Sequence, residues 1–393
     1  MFCLDPPLEA VPDGEWYCTS CLVRSGGDYG FEEGETYSLH EFKTKADDFK
    51  RKWFPNHPDA VGVDAHGGAK GGLTLERAVE REFWKLVESP HVNCEVEYGA
   101  DLHSTVHGSG FPTIEKQPLD PYSRDPWNLN IIPVLRDSLF SHIKSDISGM
   151  MVPWLYVGMC FSTFCWHNED HYTYSVNYMH WGDTKTWYGV PSSDAERFEQ
   201  AMKEAVPELF EDNPDLLLQL VTMLSPGRLM NSGVKVFALD QRPGQFVVTF
   251  PQSYHAGFNH GVSQASRFLG NREPPSEFRV LTPSSRRFLF FVFFPFPSKF
   301  NFNEAVNFAP PDWEPFGLSC ARRYLQYRRM PVFSHDELLV TALRNDSRLR
   351  SAAWLRKALA VRRDQELGQR EKIRGAGCGV REVKEETPRQ GDM

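Results

Sequence analysis

The stretch Phe161-Ser-Thr-Phe-Cys-Trp-His-Asn-Glu-Asp-His171 decides how this chain is read. It sets His167 and Glu169 two residues apart. On an extended strand, side chains at i and i+2 point the same way, so these two can grip one metal ion. A third candidate ligand, His255, stands far downstream in Val247-Val-Thr-Phe-Pro-Gln-Ser-Tyr-His-Ala-Gly-Phe-Asn259 and must arrive from a neighbouring strand. Two neutral imidazoles and one carboxylate can cap one face of Fe(II), leaving the opposite face for a chelating co-substrate and oxygen. By itself His-x-Glu is a weak signal, because two surface polar residues at this spacing are common. A zinc hydrolase also uses two histidines and a glutamate. Its usual helical signature, His-Glu-x-x-His, does not occur here.

The residues that follow raise the signal. The chain continues His171-Tyr-Thr-Tyr-Ser-Val-Asn-Tyr-Met-His-Trp-Gly-Asp-Thr-Lys-Thr-Trp-Tyr-Gly-Val-Pro191. Val176, Tyr178 and Trp181 read as one face of a strand, with Ser175, Asn177 and Lys185 reaching into a pocket. A buried ammonium needs an anion, so Lys185 would suit the far carboxylate of a dicarboxylic acid. Ser175 and Asn177 would be its neutral hydrogen-bonding companions. The plain alternative for Lys185 is a solvated turn residue.

The run from Val152-Pro-Trp-Leu-Tyr-Val-Gly-Met-Cys-Phe161 through Tyr188-Gly-Val-Pro191 resembles the JmjC domain of the Jumonji/ARID-type histone lysine demethylases, which act on methylated lysine 4 of histone H3. Val96-Glu-Tyr-Gly-Ala-Asp-Leu-His103, Gly108-Ser-Gly-Phe-Pro112, Asp146-Ile-Ser-Gly149, Glu304-Ala-Val-Asn-Phe-Ala309 and Val332-Phe-Ser-His-Asp-Glu337 carry the same likeness. So does Met1-Phe-Cys-Leu-Asp-Pro-Pro-Leu8, and together the motifs span most of residues 1–345.

The resemblance implies a mainly β fold, a double-stranded β-helix of jelly-roll or cupin type with helical decorations. It implies Fe(II) held by His167, Glu169 and His255. It implies 2-oxoglutarate held by Tyr98, Phe164, Ser175, Asn177 and Lys185, and a substrate pocket lined by Tyr156, Trp187, Asn259 and Asn307. The expected chemistry is O2-dependent hydroxylation of an N-methyl carbon on lysine, followed by formaldehyde release. Nuclear placement, a methylated H3 tail and chromatin complexes as partners follow from the same likeness.

Charge and composition fit this picture. A net charge of −9 argues against non-specific wrapping of nucleic acid and suits a cationic peptide. The eight cysteines show no disulfide-framework spacing, and the N-terminus lacks a secretory signal. Phe288–Phe294 is too short to cross a membrane, so no membrane partner is expected. Neither the family's upstream DNA-binding domain nor its JmjN segment is recognisable.

Residues 1–23 resemble the tail of a PHD finger. Cys3, Cys18 and Cys21 would belong to two zinc sites that lack their other ligands, so a working reader is not expected there. Residues 24–95 read as a helical connector. Ser38-Leu-His-Glu41 is a capping box, Leu39, Phe42, Ala46, Phe49 and Trp53 follow at helical spacing, and a Gly-rich linker at 65–72 precedes a second helix from Leu75 to Val87. The catalytic domain is expected over 96–325, with a helix from Asp194 to Ala205. A helical segment capped by Ser334-His-Asp-Glu337 is expected over 326–369, and a charged, disordered tail over 370–393.

One segment interrupts the pattern. The run expected after Gly261 resumes only at Phe300-Asn-Phe-Asn-Glu-Ala-Val-Asn307, and deleting Val262–Lys299 restores it without a gap. The Phe, Leu, Ser and Pro of Phe288–Ser298 all have pyrimidine-only codons, Val262-Ser263 can encode a 5′ splice signal, and Lys299 can end in AG. The segment therefore reads as a translated, unspliced intron, the alternative being a natural loop with an apolar plug. Either way it is expected to displace the wall near Asn307 and to impair catalysis. A catalytically impaired chromatin scaffold is the competing reading of the chain.

Overall fold

The computed structural model describes residues 34–56, 75–89, 94–261 and 300–377. The PHD-like stretch with Cys3, Cys18 and Cys21, the Gly-rich linker and the 262–299 segment lie outside the described residues. The chain divides into two compact units, one formed by Met1–Ser141 and Ser145–Val332, the other by His142–Lys144 and Phe333–Met393.

The first unit holds nine described strands, all paired antiparallel. They are β1 (Tyr98–His103), β2 (Trp154–Met159), β3 (Thr163–His167), β4 (Tyr174–Gly182), β5 (Lys185–Val190), β6 (Phe237–Gln241), β7 (Phe246–Thr249), β8 (Tyr254–Asn259) and β9 (Phe300–Phe308). They form a five-stranded sheet in the order β1-β2-β9-β4-β7 and a four-stranded sheet in the order β3-β8-β5-β6. This interleaving is the expected cupin-like arrangement. The sheets share no ladder among the described residues, so the hydrogen bonding does not close into one barrel. More of the described residues lie in helices than the expected mainly β fold with helical decorations suggests.

Strand alternation accounts for the two faces of β4. Val176 is buried with Leu129, Ile132 and Val306, and Tyr178 packs against the same cluster. Ser175 and Asn177 turn to the other side, and both are buried. Trp181 shares the sheet face of Val176 and Tyr178, but only because the register shifts between Met179 and Trp181, which sets Trp181 opposite Phe302, two residues along β9 from the partner of Tyr178. There it packs on Phe300 and Phe302. A bulge adds one residue, which moves every later side chain relative to a strict two-residue alternation.

The helices follow their sequence signals. The backbone N–H of Ser38 donates to Glu41 Oε2 at 2.8 Å and the Glu41 N–H donates to Ser38 Oγ at 3.3 Å, closing both arms of the capping box. Helix α1 (Leu39–Asn56) buries Phe42, Ala46 and Trp53, whereas Leu39 is exposed. Helix α2 (Leu75–Glu88) buries Val79 and Phe83, and Phe83 stacks on Phe258 of β8 at 4.1 Å between ring centroids. Helix α3 (Ala195–Ala205) seats Phe198, Ala201 and Met202 in the same core. Among the described residues no helix is long and apolar enough to cross a membrane.

The second unit is helical. Ser334 Oγ accepts from the Glu337 N–H at the start of α4 (His335–Asn345), as its motif requires. Arg362 on α5 (Ala353–Gly375) forms a two-pronged pair with Asp336, both contacts at 2.6 Å. Helix α5 runs on to Gly375, past the tail boundary set at 370 from composition. Arg370 donates to Glu366 one turn earlier, an i,i+4 pair that supports helix without any apolar burial.

The described residues on either side of 262–299 are held by neighbouring residues of one turn. The His260 N–H donates to the carbonyl of Thr184 at 3.0 Å, and the Asp183 N–H donates to the carbonyl of Phe300 at 3.3 Å. Adjacent residues of one turn thus hold the chain just before and just after it. β9 lies in continuous register against β2 from Trp154↔Ala305 to Met159↔Phe300, so the expected displacement of the wall near Asn307 does not occur.

Candidate metal centre

Two paired strands build the site. β3 delivers His167 and, just past its end, Glu169. Its antiparallel neighbour β8 delivers His255 directly opposite His167. The two imidazole centroids lie 4.2 Å apart, and His255 Nε2 is 3.3 Å from Glu169 Oε1. One ligand atom from each residue lies within 4.8 Å of the others, and this is the one such cluster among the described residues. A bulge between Phe164 and His167 interrupts the β3–β8 register at this point. Gly257, between His255 and Asn259, permits the close approach of the strands, because a Cβ there would lie 2.1 Å from the Thr186 carbonyl and 2.5 Å from the Phe164 ring.

The hydrogen bonds around the cluster aim its ligands. The Nδ1–H of His167 donates to the Cys165 carbonyl at 2.8 Å, and that of His255 to the Ser253 carbonyl at 3.2 Å. Both rings are thereby fixed in the tautomer that leaves Nε2 free as a ligand. Asn307 Nδ2 donates to Glu169 Oε2 at 2.8 Å and to Thr173 Oγ1 at 2.9 Å. That leaves Oε1 of Glu169 facing the imidazoles. Burial, and then the neighbouring His255, lower His167 to about 4, so its ring is neutral at pH 7. Burial pushes Glu169 up, but hydrogen bonding and charge from His255, then His167 and Asn307, hold it down at about 2. A neutral imidazole and an ionised carboxylate are the forms that bind a divalent cation. With two nitrogens and one oxygen on one side, the donor set fits Fe(II) with open positions opposite.

The second cluster surrounds Lys185, which is 2% exposed and lies on β5, so the solvated-turn alternative does not hold. Its Nζ donates to Tyr98 Oη at 3.0 Å and sits 5.0 to 5.7 Å from the ring centroids of Phe164, Tyr156, Tyr98 and Trp187. Burial lowers its pKa to about 7. The structure thus gathers Tyr98, Phe164, Lys185, Tyr156 and Trp187, which the sequence lists under two different roles. Trp187 and Phe164 also connect this cluster to the metal ligands, lying 6.0 Å from His255 and 6.4 Å from His167.

The remaining residues are more engaged with the protein than their assigned roles suggest. Ser175 Oγ shares a 2.5 Å hydrogen bond with Thr249 Oγ1. Asn259, fully buried, donates to Ser162 O and Oγ at 2.9 and 2.8 Å and accepts from Asn301 at 2.7 Å. Asn177 Oδ1 accepts from Asn303 at 2.9 Å and from Gln241 at 3.1 Å. Tyr156 donates to Asp101 at 3.0 Å. Thr173, Thr249, Gln241 and Asn303 escape the sequence reading. Each is a common polar residue whose importance comes only from a partner distant in the chain.

Comparison with known proteins agrees with this geometry. The JmjC domain, hydroxylase, model matches residues 154–268, and the lysine-specific demethylase 5 C-terminal helical domain model matches residues 312–356. The chain is 44% identical over 349 residues to Lysine-specific demethylase 5D of Homo sapiens, covering 86% of this chain and 19% of that protein. It is 41% identical over 387 residues to Lysine-specific demethylase JMJ17 of Arabidopsis thaliana, covering 96% of this chain and 28% of the relative. Lysine-specific demethylase 5B of Gallus gallus is 41% identical over 388 residues, with 96% of this chain and 22% of the relative aligned. The chain therefore spans between 19% and 28% of the length of these relatives. It belongs to the JmjC proteins of the lysine-specific demethylase 5 type, of which it carries the JmjC domain and the helical domain that follows.

Proposed function

We propose that this chain is an Fe(II)- and 2-oxoglutarate-dependent demethylase acting on methylated lysine 4 of histone H3 in the nucleus. The observation that carries the reading is the pairing of His167 opposite His255 with Glu169 beside them, one neutral ring and an ionised carboxylate converging on one point. The Lys185 cluster lies against that point.

His167, Glu169 and His255 would hold the iron. When bound there, the ion supplies oxygen activation coupled to decarboxylation of 2-oxoglutarate. The work of the protein is binding and orientation. The Lys185 ammonium and the Tyr98 hydroxyl would receive the far carboxylate of the co-substrate, with Ser175 and Asn177 beside it and Phe164 as an apolar wall. A buried cation short of its anion is costly, and a dicarboxylate relieves that cost where a neutral ligand cannot. Tyr156, Trp187, Asn259 and Asn307 would shape the space that admits the methylated side chain. Asn307 also keeps Glu169 aimed, and the aromatic walls exclude bulk water. Hydroxylation of an N-methyl carbon gives a hemiaminal that collapses to formaldehyde and the lysine bearing one methyl fewer. No amine lone pair is required, so a trimethylated lysine qualifies as substrate.

The test is incubation of the iron-loaded chain with a trimethylated H3 tail peptide and 2-oxoglutarate. Formaldehyde and succinate should appear in step with loss of methyl groups. Succinate without demethylation would retain the co-substrate reading but refute the substrate. Absence of both from protein that has taken up iron would refute the proposal. The scaffold alternative gains no support from β9, which holds Asn307 on Glu169.

A further inference from the structure

Gln241 on β6 is fully buried and joins the two sheets through one amide. Its Oε1 accepts from the indole N–H of Trp187 at 2.9 Å. Its Nε2 donates to Asn177 Oδ1 at 3.1 Å, to the Asn177 carbonyl at 3.2 Å and to the Gln245 carbonyl at 3.1 Å. The indole N–H is a donor only and cannot exchange roles. It therefore dictates which end of the Gln241 amide is oxygen. Gln241 in turn presents N–H to Asn177, so Asn177 must turn its oxygen toward β6. Asn303 on β9 repeats the instruction, donating to the same Oδ1 at 2.9 Å. The Asn177 Nδ2 is left on the opposite side, and it donates to no group among the described residues. Gln241, which holds the Asn177 amide, is the β6 partner of Lys185 on β5, so the relay runs beside the strand position that carries the ammonium.

We infer that Gln241, seconded by Asn303, is a positioning residue that locks Asn177 with its N–H2 toward the bound co-substrate, so that the far carboxylate meets a donor beside Lys185 instead of a carbonyl oxygen. This deepens the co-substrate reading and rests on it. An unlocked Asn177 would spend part of its time with Oδ1 facing the carboxylate, where two acceptors repel. The direction of one indole N–H is thus carried through two amides to the selection of an acid.

The experiment is a double-mutant cycle on the full chain, read as the dissociation constant of 2-oxoglutarate by calorimetry with Mn(II) as a redox-inert metal. Gln241→Met keeps the length of the side chain and removes the relay. It should weaken binding about tenfold, the usual worth of one hydrogen bond to a charged group. In the Asn177→Ala background the same change should add less than about twofold, because the residue through which Gln241 acts is gone. In turnover, the KM for 2-oxoglutarate should rise while kcat at saturation moves less than about twofold. Equal weakening in both backgrounds would make Gln241 a structural brace only and overturn the inference. So would unchanged binding in Gln241→Met alongside loss of binding in Lys185→Met. Unchanged binding in Lys185→Met would instead overturn the co-substrate reading, and this inference with it.

Discussion

The two polar clusters inside the cupin-like unit balance their charges in opposite ways. At the metal end the protein neutralises itself, with Glu169 lying among two imidazoles and the Asn307 amide. At the other end Lys185 has a phenol and four aromatic rings but no carboxylate among its described contacts, and burial alone lowers it to about 7. The first cluster is preorganised and internally compensated. The second is preorganised and uncompensated, which marks it as the place where an anion is to arrive. Catalytic scaffolds tolerate such local instability where a ligand repays it.

The largest expected effect tests the compensated end. His255→Ala removes one of three ligands and leaves Glu169 Oε1 without the imidazole 3.3 Å away. Turnover should fall by ~10³ or more and iron uptake should be lost, checked by metal analysis beside the formaldehyde assay. Retention of stoichiometric iron would show that the three residues do not form the site.

The next effect belongs to the uncompensated end. Lys185→Met should raise the KM for 2-oxoglutarate by ~10², while thermal unfolding at pH 6 should shift upward, corresponding to roughly 1–3 kcal/mol. The sign follows from linkage. The folded-state pKa is about 7, below the unfolded value of about 10.5, so the unfolded chain binds more protons between those limits. Wild-type stability should therefore rise relative to Lys185→Met as pH climbs from 7 to 10, with the full cost still present below 7. A parallel pH dependence in the two proteins would remove Lys185 as a lone buried cation. Binding of 2-oxoglutarate above pH 7 should also take up a proton, visible as a buffer-dependent heat.

A smaller effect separates aiming from ligation. Asn307→Ala keeps all three ligands but frees Glu169 Oε2, so iron affinity should drop roughly 10- to 100-fold with no shift in the binding of 2-oxoglutarate to the Mn(II) form. The smallest effect concerns the inserted segment. Because Thr184 and Asp183 hold the residues on either side of it, deletion of 262–299 should leave iron affinity within about threefold, a modest change in loop-closure entropy. A collapse of affinity would show that the segment supports the site. Transcript reads across the Gly261–Phe300 junction would test its origin as a retained intron.

Several features were legible because their cause is local. The capping boxes at Ser38 and Ser334 and the apolar spacing of α1 and α3 follow from residues three or four apart. The His167/Glu169 couple is visible for the same reason, since strand periodicity puts both on one side. Trp181 joins the face of Val176 and Tyr178 only through a bulge, which leaves no mark in the sequence. The reach of α5 to Gly375 was missed because its support is an i,i+4 ion pair in a stretch poor in apolar residues. Gln241 and Asn303 look like ordinary strand amides until Asn177 and Trp187 are brought against them from the opposite sheet and the neighbouring strand.

By itself the sequence determined which side chains could ligate a metal, where helices begin, and that the ammonium at 185 was a candidate partner for an anion. Such facts depend on residue chemistry and short-range spacing. Only the tertiary structure decided that His255 stands opposite His167, that Asn307 holds Glu169 across the 262–299 segment, and that the polarity of Asn177 is set from Trp187 through Gln241. Those outcomes rest on strand register, and register is fixed by the burial of whole sheet faces, which no single stretch of chain encodes.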